Sequence, residues 1–351
     1  MATLRRPGYR SVTDHRFKDE DKDAIIRTVS YHREDFDRAV IWFSPDQHAD
    51  VRPSIATPFP RTSNVGLGIL DCLPPELLND VLFRLDVHSL FKFRQTNLRS
   101  RQMVDSLKQY QMVVSHGLNL FCALLRTSLA IDTPLLDFYD ILCTKNCSLC
   151  GEFGGFVSLL IWKRCCFGCI KKAPECQVHT RTAAPKEHHL TKNESKQLRS
   201  FKALPGKYTI VGGSMHQRRI TVVSRHQTDL ILSRENNSLE EAGPLRPFPS
   251  PKFNLMASCA LPYYDKLTGK VENGIACAGC QLALERGIIG FRIEECALVA
   301  RDKVHAPEGF LEHFRCCEQA QRLWESSCGG TKKPAQLPEI ARRCGYFGQS
   351  G

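Results

Sequence analysis

Leu73-Pro74-Pro75-Glu76-Leu77-Leu78-Asn79-Asp80-Val81-Leu82-Phe83-Arg84-Leu85-Asp86 decides how the rest of the chain is read. Apolar residues at 77, 78, 81, 82 and 85 fall on one face at a 3.6-residue period, which predicts an amphipathic helix. Proline suits its first turn, where the missing N–H would have had no partner anyway. Asp86 is placed to cap a second short helix, with Leu90 and Phe93 three apart on its face. A third begins near Asn97 and carries Ser100, Met103, Val104 and Leu107. A bundle of three such short helices is too small to cover all its own apolar surface. What stays uncovered is a docking face.

Leu73-Pro74, Glu76-Leu77-Leu78, Leu85-Asp86, Ser89-Leu90, Phe93-Arg94, Asn97 and Arg99 to Ser106 resemble an F-box, the segment that plugs into the Skp adaptor of cullin-RING ubiquitin ligases. The resemblance is closest to fungal F-box proteins that carry cysteine pairs behind the box, and it departs from many F-boxes in having no Trp in the third helix. It implies a non-catalytic substrate receptor of an SCF-type ligase, with catalysis left to the RING subunit and its conjugating enzyme. Its partners would be a Skp-type adaptor and a protein substrate that the residues do not identify. Leu73, Pro74, Leu77, Leu78, Val81, Leu82, Leu90 and Phe93 would serve the adaptor interface and the bundle's own closure, undivided at this stage.

Seventeen cysteines, an odd number, cannot all pair, and in a reducing compartment they point to metal ligation. Cys147-Ser148-Leu149-Cys150 and Cys166-Phe167-Gly168-Cys169 are two C-x2-C pairs fifteen residues apart, a spacing that predicts a four-cysteine zinc site. Gly151, Gly154 and Gly155 suit turns between them, and Phe156 to Trp162 reads as a strand returning the chain to the second pair. The unit has few residues to bury, so metal would supply much of its folding free energy. Cys165 is an alternative to Cys166 at a looser spacing. The fungal F-box resemblance also covers these knuckles, including Gly151 to Phe156.

A third pair, Cys277-Ala278-Gly279-Cys280, joins His313 and Cys317, read as one turn apart on a helix from Phe310 to Glu318, in a zinc site of three cysteines and one histidine. Gly279 eases this knuckle, and Cys259 is an alternative ligand. A helix over Gln281 to Arg286 and a strand around Ile288 to Ile293 fill the interval. Closed four-ligand sets are structural rather than catalytic. Two sets so far apart do not interleave as a RING does. No cysteine carries a local nucleophile signature, so the chain reads as a non-enzyme.

The net charge is +11, and residues 177–258 hold 13 Lys/Arg against 6 Asp/Glu, a surplus of 7. A solvated basic linker accounts for this; a zinc-dependent nucleic-acid or chromatin-binding protein is the competing reading, weakened because no aromatic ladder interleaves the charges. An F-box scaffold acting outside any ligase is a third. With neither a leader-like N-terminus nor a membrane-length apolar run, a soluble cytoplasmic or nuclear protein is expected.

The expected architecture is mainly α with small β elements: a three-helix F-box bundle, extended by helices and followed by two zinc-stabilised modules. Residues 1–64 read as flexible, 65–110 as the F-box, and 111–176 as a helical extension with the four-cysteine knuckle. Residues 177–254 read as a basic linker with a hairpin of Tyr208 to Val211 and Ile220 to Val223 and a helix over His226 to Leu232. The second zinc module, with three cysteines and a histidine, takes 255–328, and 329–351 is a loose tail. In the extension, one helix runs from Gln111 to Ala130, striped by Leu118, Cys122, Leu125 and Leu129, and another from Pro134 to Cys143.

Overall fold

The computed structural model describes residues 9–11, 14–44, 46–47, 49–58, 61, 65–183, 191, 197–210, 213, 215–235, 252–288 and 294–346. The N-terminal stretch is the first departure from expectation. Lys22–Val29 (α1) turns Ile25 and Val29 inward to full burial. Ser30–Tyr31 (β1) pairs with a strand far downstream, Ser30 opposite Cys277 and Tyr31 opposite Ala276. Glu34–Ala39 (α2) buries Phe36; Val40, Ile41 and Phe43 follow it into the core, and Arg52–Ala56 (α3) adds Ile55. Apart from the short run Ala39 to Phe43, these apolar residues stand among charges without a helical or strand period, and the strand partner of Ser30 and Tyr31 lies far along the chain.

Pro75–Arg84 (α4), Val87–Arg94 (α5) and Leu98–Ser106 (α6) form where the apolar spacing and caps direct. The Asp86 carboxylate accepts from the Ser89 N–H at 2.8 Å. Asn97 and Ser100 cap reciprocally, at 2.8 and 3.1 Å. Such caps contribute about 1 kcal/mol each. A buried bidentate pair, Arg94 to Asp105 at 2.6 and 3.2 Å, locks α5 to α6.

Lys108–His116 (α7), Leu118–Thr127 (α8) and Leu135–Leu142 (α9) extend the bundle. The single helix expected over 111–130 is thus two. They part at Gly117, where a Cβ would meet Val113 O at 2.9 Å and the Phe138 ring at 3.0 Å. The break resets the helical phase, so Leu120, Phe121, Ala123 and Leu124 are buried, while Leu118, Cys122 and Leu125 are only partly so.

Phe156–Ser158 (β2) turns back after three residues into Lys163–Cys165 (β3) rather than running on to Trp162, and Phe167–Lys172 (α10) follows. The basic segment is more than a linker. Val178–Thr180 (β4), Ser200–Lys202 (β5) and Thr221–Ser224 (β6) make a sheet with β6 in the middle. The expected hairpin does not form: β6 takes β4 and β5 as partners, and Tyr208 instead donates its hydroxyl to Leu204 O at 2.6 Å. Val211, Gly212 and the prolines 244–251 lie outside the described residues. Arg225–Glu235 (α11) covers the helix expected there.

Lys252–Met256 (α12) leads into Ser258–Ala260 (β7), which pairs with β2, Phe156 opposite Ala260. Residues 255–264 therefore complete the first core instead of opening the second module. Tyr263–Tyr264 (β8) and Val271–Glu272 (β9) form a small ribbon. Then come Ile275–Cys277 (β10), Ala278–Glu285 (α13), Glu294–Asp302 (α14), Val304–His305 (β11), Pro307–Phe314 (α15), Glu318–Ser326 (α16) and Glu339–Arg342 (α17). Strand β10 lies between β1 and β11. The second core joins Ile25, Val29 and Tyr31 to Ala276, Phe310, Phe314, Leu323 and Ala341. Of the strand expected at 288–293, residues 289–293 lie outside the described set. The tail is also corrected: α17 buries Ile340, and the Glu34 N–H donates to Cys344 O at 2.9 Å.

The two cores are stitched by charge. Arg33 is almost fully buried and binds Asp35 through two hydrogen bonds, at 2.8 and 2.6 Å, and Asp302 at 3.2 Å. Its guanidinium lies 3.7 Å over Phe36, which stacks on Phe167 of α10 at 3.8 Å. Lys145 reaches Glu272 and Glu308, and Lys303 reaches Glu152.

Candidate docking face and metal centres

Helix α4 divides its apolar residues cleanly. Leu78 (5% exposed) and Leu82 (1%) point into the bundle, joined there by Leu90. Leu77 (55%) and Val81 (46%), one turn apart, point away from it with every described segment in place. Leu73 and Pro74 precede them on the exposed side, and Phe93 is half-buried against the core. The exposed row begins earlier than the helical spacing predicts, because Ile69 and Leu70, in the turn before Leu73, are exposed too. Their signal was an apolar pair in a glycine-bounded turn that could not bury it.

The first cysteine centre forms from two knuckles held by backbone bonds. Cys147 N–H donates to Glu152 O at 2.7 Å, and Gly151, at φ +77°, turns back to donate to Cys147 O. Strand β3 delivers Cys166, whose sulfur caps α10 by accepting from the Cys169 N–H at 3.4 Å. The sulfurs of Cys147, Cys150, Cys166 and Cys169 lie within 4.8 Å of one another, with Cys150 to Cys166 at 3.6 Å. Cys165 stands outside this quartet, its sulfur 3.8 Å from that of Cys176. This centre does not stand alone as a coreless unit, since Cys147, Phe156 and Phe167 belong to the core that holds the bundle.

Behind it lies Arg164, buried and, among the described residues, without a carboxylate partner. Its guanidinium donates to the carbonyls of Gly154, Ile141 and Leu261, and burial pushes its pKa down to about 9. The turn at Gly154, the last turn of α9 and the segment after β7 are thereby fixed to one side chain.

In the second centre, Cys277 ends β10 and caps α13, accepting from the Cys280 N–H at 3.4 Å. His313 sits in the last turn of α15. The spacing from His313 predicts Cys317 on that same helix, but it stands instead at the first position before α16, across a short turn. The four still converge: Cys280 Sγ is 3.3 Å from His313 Nε2, and Cys277 Sγ is 3.7 Å from Cys317 Sγ. Cys259 is excluded, because it lies on β7 in the first core, where Asn119 Nδ2 donates to its sulfur at 3.1 Å.

Each quartet holds one thiol below its ordinary pKa. For Cys147 the cause is hydrogen bonding from Cys165 and Cys166; for Cys277 burial works against ionisation, but bonds from Cys280 and Cys317 prevail. Cys166, Cys280 and Cys317 are pushed up by donating such bonds and by burial; burial first, then a bond with Cys150, pushes Cys169 up to about 12. Thiolates this close repel, and only a cation among them lets all ionise together. Either group could hold a metal ion.

The site thus consists of a small helical bundle with an exposed apolar helix edge and two cysteine-rich groups. Residues 70–112 match the F-box domain family, so the bundle of α4, α5 and α6 is an F-box. F-box domains support an adaptor role in SCF-type ubiquitin ligases, where they bind the Skp subunit, and F-box proteins are generally non-catalytic. No curated protein and no solved structure matches the chain. Among the described residues no helix is long and apolar enough to cross a membrane.

Proposed function

We propose that this chain is the substrate receptor of an SCF-type cullin-RING ligase, working in the cytoplasm or nucleus. Its F-box docks a Skp-type adaptor through Leu73, Pro74, Leu77 and Val81, while Leu78, Leu82 and Leu90 close the bundle and Phe93 shares both duties. The observation that carries this reading is the exposed Leu77–Val81 edge on a segment matched as an F-box. Apolar anchors of this kind cost about 2 kcal/mol or more each when lost from a well-packed interface.

Both cysteine centres would hold structural zinc, as in the fungal F-box proteins the knuckles resemble. A tetrahedral zinc with Zn–S near 2.3 Å sets sulfur–sulfur edges of about 3.8 Å and sulfur–nitrogen edges of about 3.5 Å. The separations of 3.6, 3.7 and 3.3 Å fit those edges. Bound there, zinc supplies folding free energy and no reaction step. The chain's own part is to position the donors and to shield them, by Phe167 at one centre and Phe314 at the other.

The test is co-expression with a Skp adaptor, affinity capture, and metal analysis. Leu77→Asp with Val81→Asp should lose the adaptor and keep about two zinc per chain. Leu78 is left intact, because a charge there would break the bundle itself. Undiminished capture of the adaptor would refute the docking face, and metal well below two per chain would reject one centre.

A further inference from the structure

A groove of about 810 Å³ opens between the C-terminal end of α1 and the loop that leads to α17. Arg27, Lys332, Lys333 and Arg342 line it, with Ala24 and Leu337 among the apolar residues, and no carboxylate is among the lining residues. Among the described residues none of the four cations makes an ion pair; Arg27 spends only its Nε, on Asp23 O. The carboxylates on the same elements are turned elsewhere. Asp23 lines the groove on the other side of α1, and Glu339 is held by Arg343 at 2.9 Å.

Four unpaired cations in one concavity repel one another, and a protein that only needed solubility would scatter them. Two of them are arginines from opposite ends of the chain, brought to one groove by the packing of α1 and α17 onto the second core. Arginine forks match carboxylate and phosphoryl oxygens in pairs, whereas lysines add point charge. The apolar residues beside them give room for an aliphatic side chain between anionic ones.

We infer that this groove binds an acidic peptide segment of a partner protein, with anionic side chains on Arg27 and Arg342 and an intervening apolar residue on Ala24 and Leu337. The site stands on its own geometry; that the peptide belongs to a ligase substrate rests on the receptor reading above. The groove lies on the second core and shares no residue with the adaptor-facing edge of α4.

The experiment uses the full chain and a fluorescein-labelled peptide pool with a fixed Glu-Glu-Leu-Glu core and randomised flanks, against its Gln-Gln-Leu-Gln counterpart. A matching pool with phosphoserine for the glutamates reports which anionic group is preferred. Anisotropy should show the acidic or phosphorylated pool binding the wild type and weakening as salt rises. Arg27→Glu, Lys332→Glu, Lys333→Glu and Arg342→Glu together should weaken it by about thirtyfold. The milder pair Lys332→Gln and Lys333→Gln should give a smaller loss in the same direction, and metal content reports that both variants are folded. Equal binding of acidic and neutral pools, or acidic binding untouched by the four-fold variant, would overturn the inference. So would anionic phosphatidylserine vesicles or single-stranded RNA occupying the groove in preference to peptide. Adaptor binding is measured on the same preparations. Adaptor bound with no acidic peptide sinks this inference alone, and acidic peptide bound with no adaptor sinks the receptor reading alone.

Discussion

Gly279 offers the sharpest test of how the second centre is built, because the same change made elsewhere should act in the opposite direction. It stands in α13 between the ligands Cys277 and Cys280, and a Cβ there would press first on the backbone nitrogen of Ala320 and lie 2.7 Å from its Cα and 2.8 Å from its Cβ. Ordinary contact begins at 3.4 Å, so α13 and α16 would have to part by about 1 Å. Those helices start at Cys277 and Cys317, so parting them spreads the donor set. Overpacking of this kind costs about 1–3 kcal/mol, against about 1 kcal/mol gained from alanine's better helix propensity. Gly279→Ala should therefore lower stability by a net of up to about 2 kcal/mol and weaken metal binding by about 10–100-fold. In Gly309→Ala the new Cβ on α15 meets nothing within 4 Å, and a gain of about 0.4–1 kcal/mol is expected. Urea unfolding gives the stability difference, and competition with a chromogenic chelator gives the affinity. If Gly279→Ala behaves like Gly309→Ala, the close helix approach is not what holds this centre together.

Two further outcomes follow from the charges that join the cores. Arg33→Ala leaves Asp35 buried beside Asp302 without its guanidinium partner, and should cost about 3–5 kcal/mol in urea unfolding, whereas Arg38→Ala, which removes an exposed pair with Glu34, should change little. A loss below about 1 kcal/mol at Arg33 would mean the two cores do not depend on it. His32 has its pKa raised: burial opposes the charge, but a 2.7 Å bond to Asp37 outweighs it. A raised folded value means the charged pair stabilises below the ordinary histidine pKa, and that this is lost as pH rises through the folded value. In Asp37→Asn an NMR titration should find the His32 pKa lowered, and an unchanged value would remove Asp37 as the cause.

Local signals were readable in the sequence where the physics is local. The helix from Pro75, the cap at Asp86 and each C-x2-C knuckle depend on spacings of two to four residues. What spacing cannot encode is which distant segment covers which. Tyr31 pairs with Ala276, Phe156 with both Cys165 and Ala260, and Val222 with both Thr180 and Phe201. In each case a strand of two to four residues has too little alternation to name its partner. The N-terminus and tail looked loose because isolated apolar residues such as Phe36 and Ile340 carry no period. The break at Gly117 is set by the ring of Phe138, and Gly279 is required by Ala320 rather than by the knuckle. Arg27 and Arg342 became neighbours only through packing.

Hydrogen–deuterium exchange on the full chain, with and without a Skp adaptor, tests the central claim most directly. The account predicts new protection in the backbone of residues 69–84, with the second core unchanged. Protection confined to any other surface, or none at all, would contradict it.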